Sequence, residues 1–136
     1  MPERVVLDTD VASLILRDQL ASSVSRMLEP RTWCATFVTI GELWRWAEVG
    51  SWGPRRRRHL ERWLASVTVL PYNVRVARIW GRISAAAAMR GRPRPINDTW
   101  IAAACMAHGL PLATLNTKDF AEYAEYDVLE LAIHPR

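Results

Sequence analysis

The sequence predicts an α/β fold, with a mainly parallel sheet of four to five strands layered between helices in three α/β/α layers. Three observations lead there. Short apolar runs rich in β-branched residues alternate with longer stretches whose apolar residues recur at helical spacing. That alternation runs along the chain without internal repeats or low-complexity segments. The 136 residues, 50% hydrophobic and 24% charged, are enough to bury one core, so a single domain over 1–136 is expected.

Taken in order, Arg4–Leu7 is an apolar run expected to be a buried strand ending at Asp8. Val11–Arg17 and Ala21–Glu29 read as two short helices, closed by Pro30. Thr32–Val38 (TWCATFV) is a second expected strand. Thr39 with Glu42 three residues on has the spacing of a capping box, and predicts a helix to about Glu48. The GSWGP segment breaks it before a helix over Arg55–Ser66. Val67–Leu70 is a third strand, stopped by Pro71. Val76, Ile79, Trp80, Ile83 and Ala87 place one apolar stripe on a long helix over Asn73–Met89. RGRPRPIN reads as a loop because its prolines remove backbone donors. A helix over Asp98–His108 is closed by Gly109, a strand follows over Leu110–Leu115, and Tyr126–Leu131 is the candidate fifth strand.

Composition narrows the function classes. The near-apolar stretch Ile101–Ala107 is too short to cross a bilayer, and the opening MPERVVLDTD lacks the apolar centre of a signal peptide. A cytoplasmic location is therefore expected. Cys34 and Cys105, without metal-type spacing, are expected to be reduced core residues. The three histidines, His59, His108 and His134, show no ligand spacing either. A net charge of +4 favours a polyanionic partner. Arg55–Arg58 falls on a helix and reads first as a solvated surface, with RNA or partner contact as the alternative. Five of the seven tryptophans lie in helical segments, where packing explains them.

Against this basic background, four acidic positions stand out: Asp8 in VVLDTDV, Glu42 in VTIGELW, Asp98 in PINDTWIAAA and Asp119 in ATLNTKDF. Each lies at the end of an apolar run or the start of a helical one. In a parallel sheet those places gather at the carboxyl edge, where distant segments share one site. Taken singly, each has an ordinary explanation. Asp8, Asp10 and Asp98 can cap helices, Glu42 can be a capping or solvated glutamate, and Asn116 and Asp119 suit a polar turn. Gathered together, carboxylates repel one another unless a hard cation such as Mg²⁺ or Mn²⁺ joins them. Such an ion lowers the pKa of its water and bridges phosphate oxygens, which is the chemistry of phosphodiester hydrolysis. Arg90, Arg92 and Arg94, in the loop before Asp98, are candidates to meet RNA phosphates beside it.

The stretches VVLDTDVASLIL, TFVTIGELWRWAEVG and PINDTWIAAACMAHGLPLATLNTKDF, in that order, resemble the PIN-domain family, and within it the VapC toxins of bacterial toxin–antitoxin pairs. The resemblance covers most of the chain, and its last block is the most specific. It implies a PIN-like α/β/α sandwich and Mg²⁺- or Mn²⁺-dependent cleavage of RNA, whether tRNA, rRNA or mRNA. It also implies a VapB-like antitoxin that blocks the site, and a homodimer. The family's metal-site acids fall on Asp8, Glu42 and Asp98. Its fourth position falls on Asn116, where many members carry Asp, and Asp119 is the candidate to compensate as a further catalytic acid. Thr114 and Asn116 are expected to orient ligands or the scissile phosphate.

Two rivals remain open. An apolar strand followed by Asp-x-Asp also matches phosphatases of the haloacid dehalogenase type, with Asp8 as nucleophile and Asp10 as general acid. The later acids of that family are missing, and the chain is short for it. The neutral Asn116 leaves room for a PIN-like module that binds RNA or protein without cutting.

Overall fold

A computed structural model describes residues 3–133. Four parallel strands form the sheet: β1 (Arg4–Leu7), β2 (Thr32–Ala35), β3 (Thr68–Val69) and β4 (Leu112–Ala113), in the order β3-β2-β1-β4. Seven helices lie between and around them among the described residues. They are α1 (Thr9–Leu16), α2 (Ser22–Leu28), α3 (Phe37–Val49), α4 (Pro54–Ser66), α5 (Val74–Met89), α6 (Ile96–His108) and α7 (Thr117–Asp127).

The three layers follow from the period-2 alternation of the strands. Val6, Cys34 and Leu112 face one side, where they pack with Val76 and Ile83 of α5, Ile101 to Cys105 of α6, and Phe120 and Tyr123 of α7. Val5, Leu7 and Ala113 face the other, against Val11 and Ala12 of α1, Leu28 of α2, Leu43 of α3 and Leu60 of α4. The consecutive buried alanines Ala102, Ala103 and Ala104 let α6 lie close to both the sheet and α5. Six of the seven tryptophans pack at the margins of these two cores, and Trp46 on α3 is exposed. Both cysteines are buried and unpaired, as expected.

The parallel crossovers bring the carboxyl ends of all four strands to one edge, from which α1, α3 and α7 leave. Within this frame several expected boundaries move. β2 ends at Ala35 because Thr36, buried and extended, caps α3 by accepting from the Thr39 amide at 3.2 Å. The helix therefore starts two residues before Thr39, and Glu42 is not half of a capping box. α6 likewise begins at Ile96, which puts Asp98 inside its first turn rather than at its cap.

The larger correction is at the C-terminal side. NTKDF, expected as a polar turn, opens α7, and Tyr126 belongs to that helix rather than to a fifth strand. Phe120 and Tyr123, three residues apart, both point into the core, the spacing of a helix and not of a strand. The helix stops at Val128 with φ of 63°, a costly conformation for a β-branched residue. Only Leu131 of the expected strand pairs with the sheet, in a single parallel bridge to Leu112. His134 lies outside the described residues.

Candidate active site

Asp8 is the first residue beyond β1 and the N-cap of α1. It is both cap and buried acid, since one carboxylate can accept at each oxygen. Its Oδ1 accepts from the Thr9 amide at 2.9 Å, and its Oδ2 from the Thr114 hydroxyl, just past β4, at 2.8 Å. Its relative exposure is only 5%. Burial, the neighbouring Asp10 and, more distantly, Asp98 push the Asp8 carboxyl up to about 7, against the pull of its two hydrogen bonds.

Asp10, read from sequence as a helix cap or a phosphatase acid, sits in the first turn of α1. Its Oδ1 accepts from the Val11 amide at 2.7 Å and its Oδ2 from the Leu115 amide at 3.1 Å. Both oxygens are thus engaged by backbone donors, which suits a structural carboxylate and not a proton donor to a leaving group. Burial still raises its carboxyl.

Glu42 projects from α3 toward α1. Its Oε1 accepts from the Thr9 hydroxyl at 2.8 Å, and Thr9 also lies 2.9 Å from the Thr39 hydroxyl. Thr9 has no signal of its own in the sequence, yet it bridges two of the acids. It follows Asp8 directly and ties the first strand's acid to the third helix's. Asp98 is half-buried, and burial, Asp119, Glu42 and Asp10, in that order, all raise its carboxyl. Asp119 is exposed on the first turn of α7, facing Asp98 closely enough to be felt. Thr114 is fully buried, and besides Asp8 it holds the Asn116 amide at 3.0 Å. Asn116 is the N-cap residue of α7, with its side chain making no capping bond.

The sequence positions Asp8, Glu42, Asp98 and Asp119 therefore converge electrostatically at the carboxyl edge of β1 and β4, with Asp10 as a fifth member. None of the ion pairs among the described residues includes any of the five. Burial is the first cause of the upward displacement of Asp8, Asp10 and Asp98, and neighbouring carboxylates add to it at Asp8 and Asp98.

A hard divalent ion fits this donor set, which offers carboxylate oxygens with hydroxyls behind them. Among the described residues no group of three or more His, Cys, Asp and Glu side chains is close enough together to hold a metal ion as it stands.

The arginine loop before α6 divides. Arg94, a sequence candidate for RNA contact, is instead internal. Its side chain is only 5% exposed, over the Tyr123 ring, and pairs with Asp127 and Glu122 of α7. It is a structural cation that ties the α6 entry to α7, assisted by the bond of 2.8 Å between Thr99 and Tyr123. Arg92 pairs with Glu122 at 2.9 Å but stays exposed, and Arg90 lies over the Tyr126 ring at 4.2 Å. In the Arg55–Arg58 run, Arg57 pairs with Glu48, and Arg56 covers Trp52.

Comparison with known proteins adds an independent line. The profile of the PIN domain matches residues 5–126. The tRNA(fMet)-specific endonuclease VapC of Shigella flexneri is 30% identical over 118 residues, which cover 86% of this chain and 89% of that protein. Among solved structures, VapBC-1 from nontypeable Haemophilus influenzae matches with a TM-score of 0.78 at 26% identity, covering 94% of this chain and 96% of its own. VapBC-5 from Mycobacterium tuberculosis, a member of the VapBC family of toxin–antitoxin systems, matches with a TM-score of 0.71 at 29% identity, covering 96% and 98%.

Proposed function

This chain belongs to the PIN-domain family, and we propose that it is a single-domain VapC-type ribonuclease toxin: a cytoplasmic, Mg²⁺- or Mn²⁺-dependent endoribonuclease, homodimeric and restrained by a VapB-like antitoxin. The observation that carries the reading is the group Asp8, Asp10, Glu42, Asp98 and Asp119, mutually repelling and unpaired with any cation among the described residues. Relatives that cut RNA and the VapBC likeness support the same class. No described helix is long and apolar enough to cross a membrane.

In the proposed mechanism Asp8, Asp98 and Glu42 would hold the ion, and Asp119 would contribute a nearby fourth carboxylate in the place of the neutral Asn116. When bound, the ion supplies an acidified water and neutralises charge on the attacked phosphate. The Thr114 hydroxyl fixes Asp8, and the Thr9 hydroxyl fixes Glu42, so both carboxylates are oriented before substrate arrives. Glu42, half-buried with one oxygen bonded to Thr9, would use its other oxygen either for the ion or as the base toward the attacking water. Asn116, exposed and with a side chain that makes no capping bond, would orient the scissile phosphate. Arg90 and Arg92 remain the loop arginines exposed enough to meet RNA backbone.

The test is cleavage of a mixed RNA population by purified protein in EDTA, Mg²⁺ and Mn²⁺. Cutting should require the ion, and Asp8→Asn and Asp98→Asn should each abolish it while leaving the circular dichroism spectrum unchanged. Wild-type cutting by Asp8→Asn, or cutting that persists in EDTA, defeats the reading. Binding of RNA with no ion-stimulated cutting would instead identify a PIN-like binding module.

A further inference from the structure

Asp98 is held unlike the other acids of the site. Asp8, Asp10 and Glu42 each accept hydrogen bonds that fix their carboxylates, whereas no hydrogen bond among the described residues reaches the Asp98 side chain. Its place therefore depends on the backbone of the first turn of α6, which is buried only from Thr99 onward. Pro95, Ile96 and Asn97 are exposed, and the N-cap Pro95 offers no side-chain bond to the free amides behind it. Asp119, Glu42 and Asp10 all stand close enough to Asp98 to repel it. An uncapped, exposed helix start pushed from one side moves away from the acids unless something holds it.

What opposes that push comes from α7. The Thr99 hydroxyl donates to the Pro95 carbonyl at 2.8 Å, which uses its one proton. The Tyr123 hydroxyl, 2.8 Å from the same Thr99 oxygen, is therefore the donor there. The two bonds run in sequence from α7 to the carbonyl at the N-cap of α6. Both side chains are buried, so water does not compete for either bond. Four residues before Asp98, Arg94 lies over the Tyr123 ring at 4.1 Å and pairs with Glu122 and Asp127. Glu122, Tyr123 and Asp127 of α7 thus grip Arg94 and Thr99, the two residues that bracket Asp98. The same helix carries Asp119 one turn earlier. One helix therefore sets where both Asp98 and Asp119 stand.

We propose that Tyr123 is a positioning residue for the metal site: its hydroxyl, through Thr99 and the Pro95 carbonyl, holds the first turn of α6 so that Asp98 is presented to the divalent ion with Asp8 and Glu42. The inference rests on the metal-dependent reading and adds to it a group that touches neither ion nor RNA. As a core aromatic beside Phe120, with ring centroids 5.4 Å apart, Tyr123 does nothing that phenylalanine would not do. A buried hydroxyl is costly unless it is bonded, so what distinguishes tyrosine from phenylalanine here is the bond to Thr99 alone. Groups standing behind a metal's ligands govern affinity by fixing those ligands.

The test is titration of the purified protein with Mn²⁺ alone, without RNA, alongside thermal unfolding. Tyr123→Phe keeps the ring and its packing and loses only the hydroxyl, and Thr99→Val keeps the shape and loses the relay. Each should bind Mn²⁺ about ten-fold more weakly than wild type. The double variant should be no weaker than either, since both cut the same path. Thr99→Ser keeps the hydroxyl and gives up a buried methyl, so it should melt lower than wild type yet bind Mn²⁺ with full affinity. A merely structural role would not separate melting from binding in this way. Circular dichroism checks that each variant is folded, and should Thr99→Val fail there, Tyr123→Phe and Thr99→Ser decide. Thr99→Ser losing as much affinity as Tyr123→Phe assigns the effect to packing and overturns the proposal. If wild type binds Mn²⁺ and Tyr123→Phe binds it equally, the relay fails and the metal-dependent reading stands. If wild type binds no Mn²⁺, both fail together.

Discussion

Replacing Asp8 by Asn should stabilise the metal-free protein near neutral pH. The Asp8 carboxyl is raised from an ordinary 3.8 to about 7, chiefly by burial and then by Asp10. Below about pH 4 the group is protonated in both folded and unfolded chains and has no effect on stability. As pH rises from 3.8 towards 7, the unfolded chain releases this proton while the folded one retains it. The folded state therefore binds more protons, and stability falls with pH across that window. Above about 7 the full penalty stands. At 1.36 kcal/mol per unit, a displacement of about three units is worth about 4 kcal/mol, an upper figure because Asp10 and Asp98 share the repulsion. The amide of the Asp8→Asn variant would keep an oxygen for the Thr9 backbone N–H, and the Thr114 hydroxyl can turn to accept from the new NH₂. Thermal unfolding in EDTA at pH 5 and pH 7.5 reads the effect. Wild type should melt lower at pH 7.5 than at pH 5. Asp8→Asn should melt higher than wild type at pH 7.5 by on the order of 10 °C, with the gap narrowing at pH 5. Saturating Mg²⁺ should raise wild type and not the variant. An Asp8→Asn protein that melts at or below wild type at pH 7.5 in EDTA would refute the electrostatic account of this site.

Thr114→Val removes the hydroxyl that holds Asp8 down. The acid limb of the pH–rate profile for RNA cleavage should therefore move to higher pH, with activity at pH 7 falling about 10–100-fold. Thr9→Val should free Glu42 and weaken Mn²⁺ binding, followed by titration of the metal alone, by a similar factor, and Thr9→Ser should restore it. Arg94→Ala strands Asp127 and Glu122 around a buried gap and should lower unfolding free energy by about 3–5 kcal/mol in denaturant titration. If it costs less than about 1 kcal/mol, the ion pair is not what joins the α6 entry to α7.

The strands and the acids were legible because each rests on a local rule. Val5, Val6 and Leu7 run apolar into Asp8, and no tertiary context is needed to see a buried strand stopping at a carboxylate. Asp98 and Glu42 gained meaning from order and spacing. The relation between Asp8 and Glu42 was not legible, because it is carried by Thr9, a residue with no pattern of its own whose hydroxyl spans from α1 to α3. The capping box at Thr39 failed because Thr36, three residues earlier, offered an equivalent hydroxyl nearer the strand end. α7 was hidden by its composition. Asn116, Thr117 and Asp119 look like a turn, and Tyr126, Val128, Leu129 and Leu131 look like a strand. Only the burial of Phe120 and Tyr123 against α6 decides for helix. Arg94 shows the opposite error. A loop arginine beside an acidic site suggested phosphate, while its true partners, Glu122 and Asp127, lay on a helix not foreseen.

Because Asp8 both starts α1 and supplies the site's most buried acid, the fold restricts how this lineage can lose its toxicity. Descendants under selection for harmlessness would settle at this position on Asn or Ser, which keep the helix start, and seldom on Ala. Glu42 accepts no backbone bond, so drift there would run through many side chains. The spectrum of escape substitutions in a growth selection should therefore be narrow at position 8 and broad at position 42.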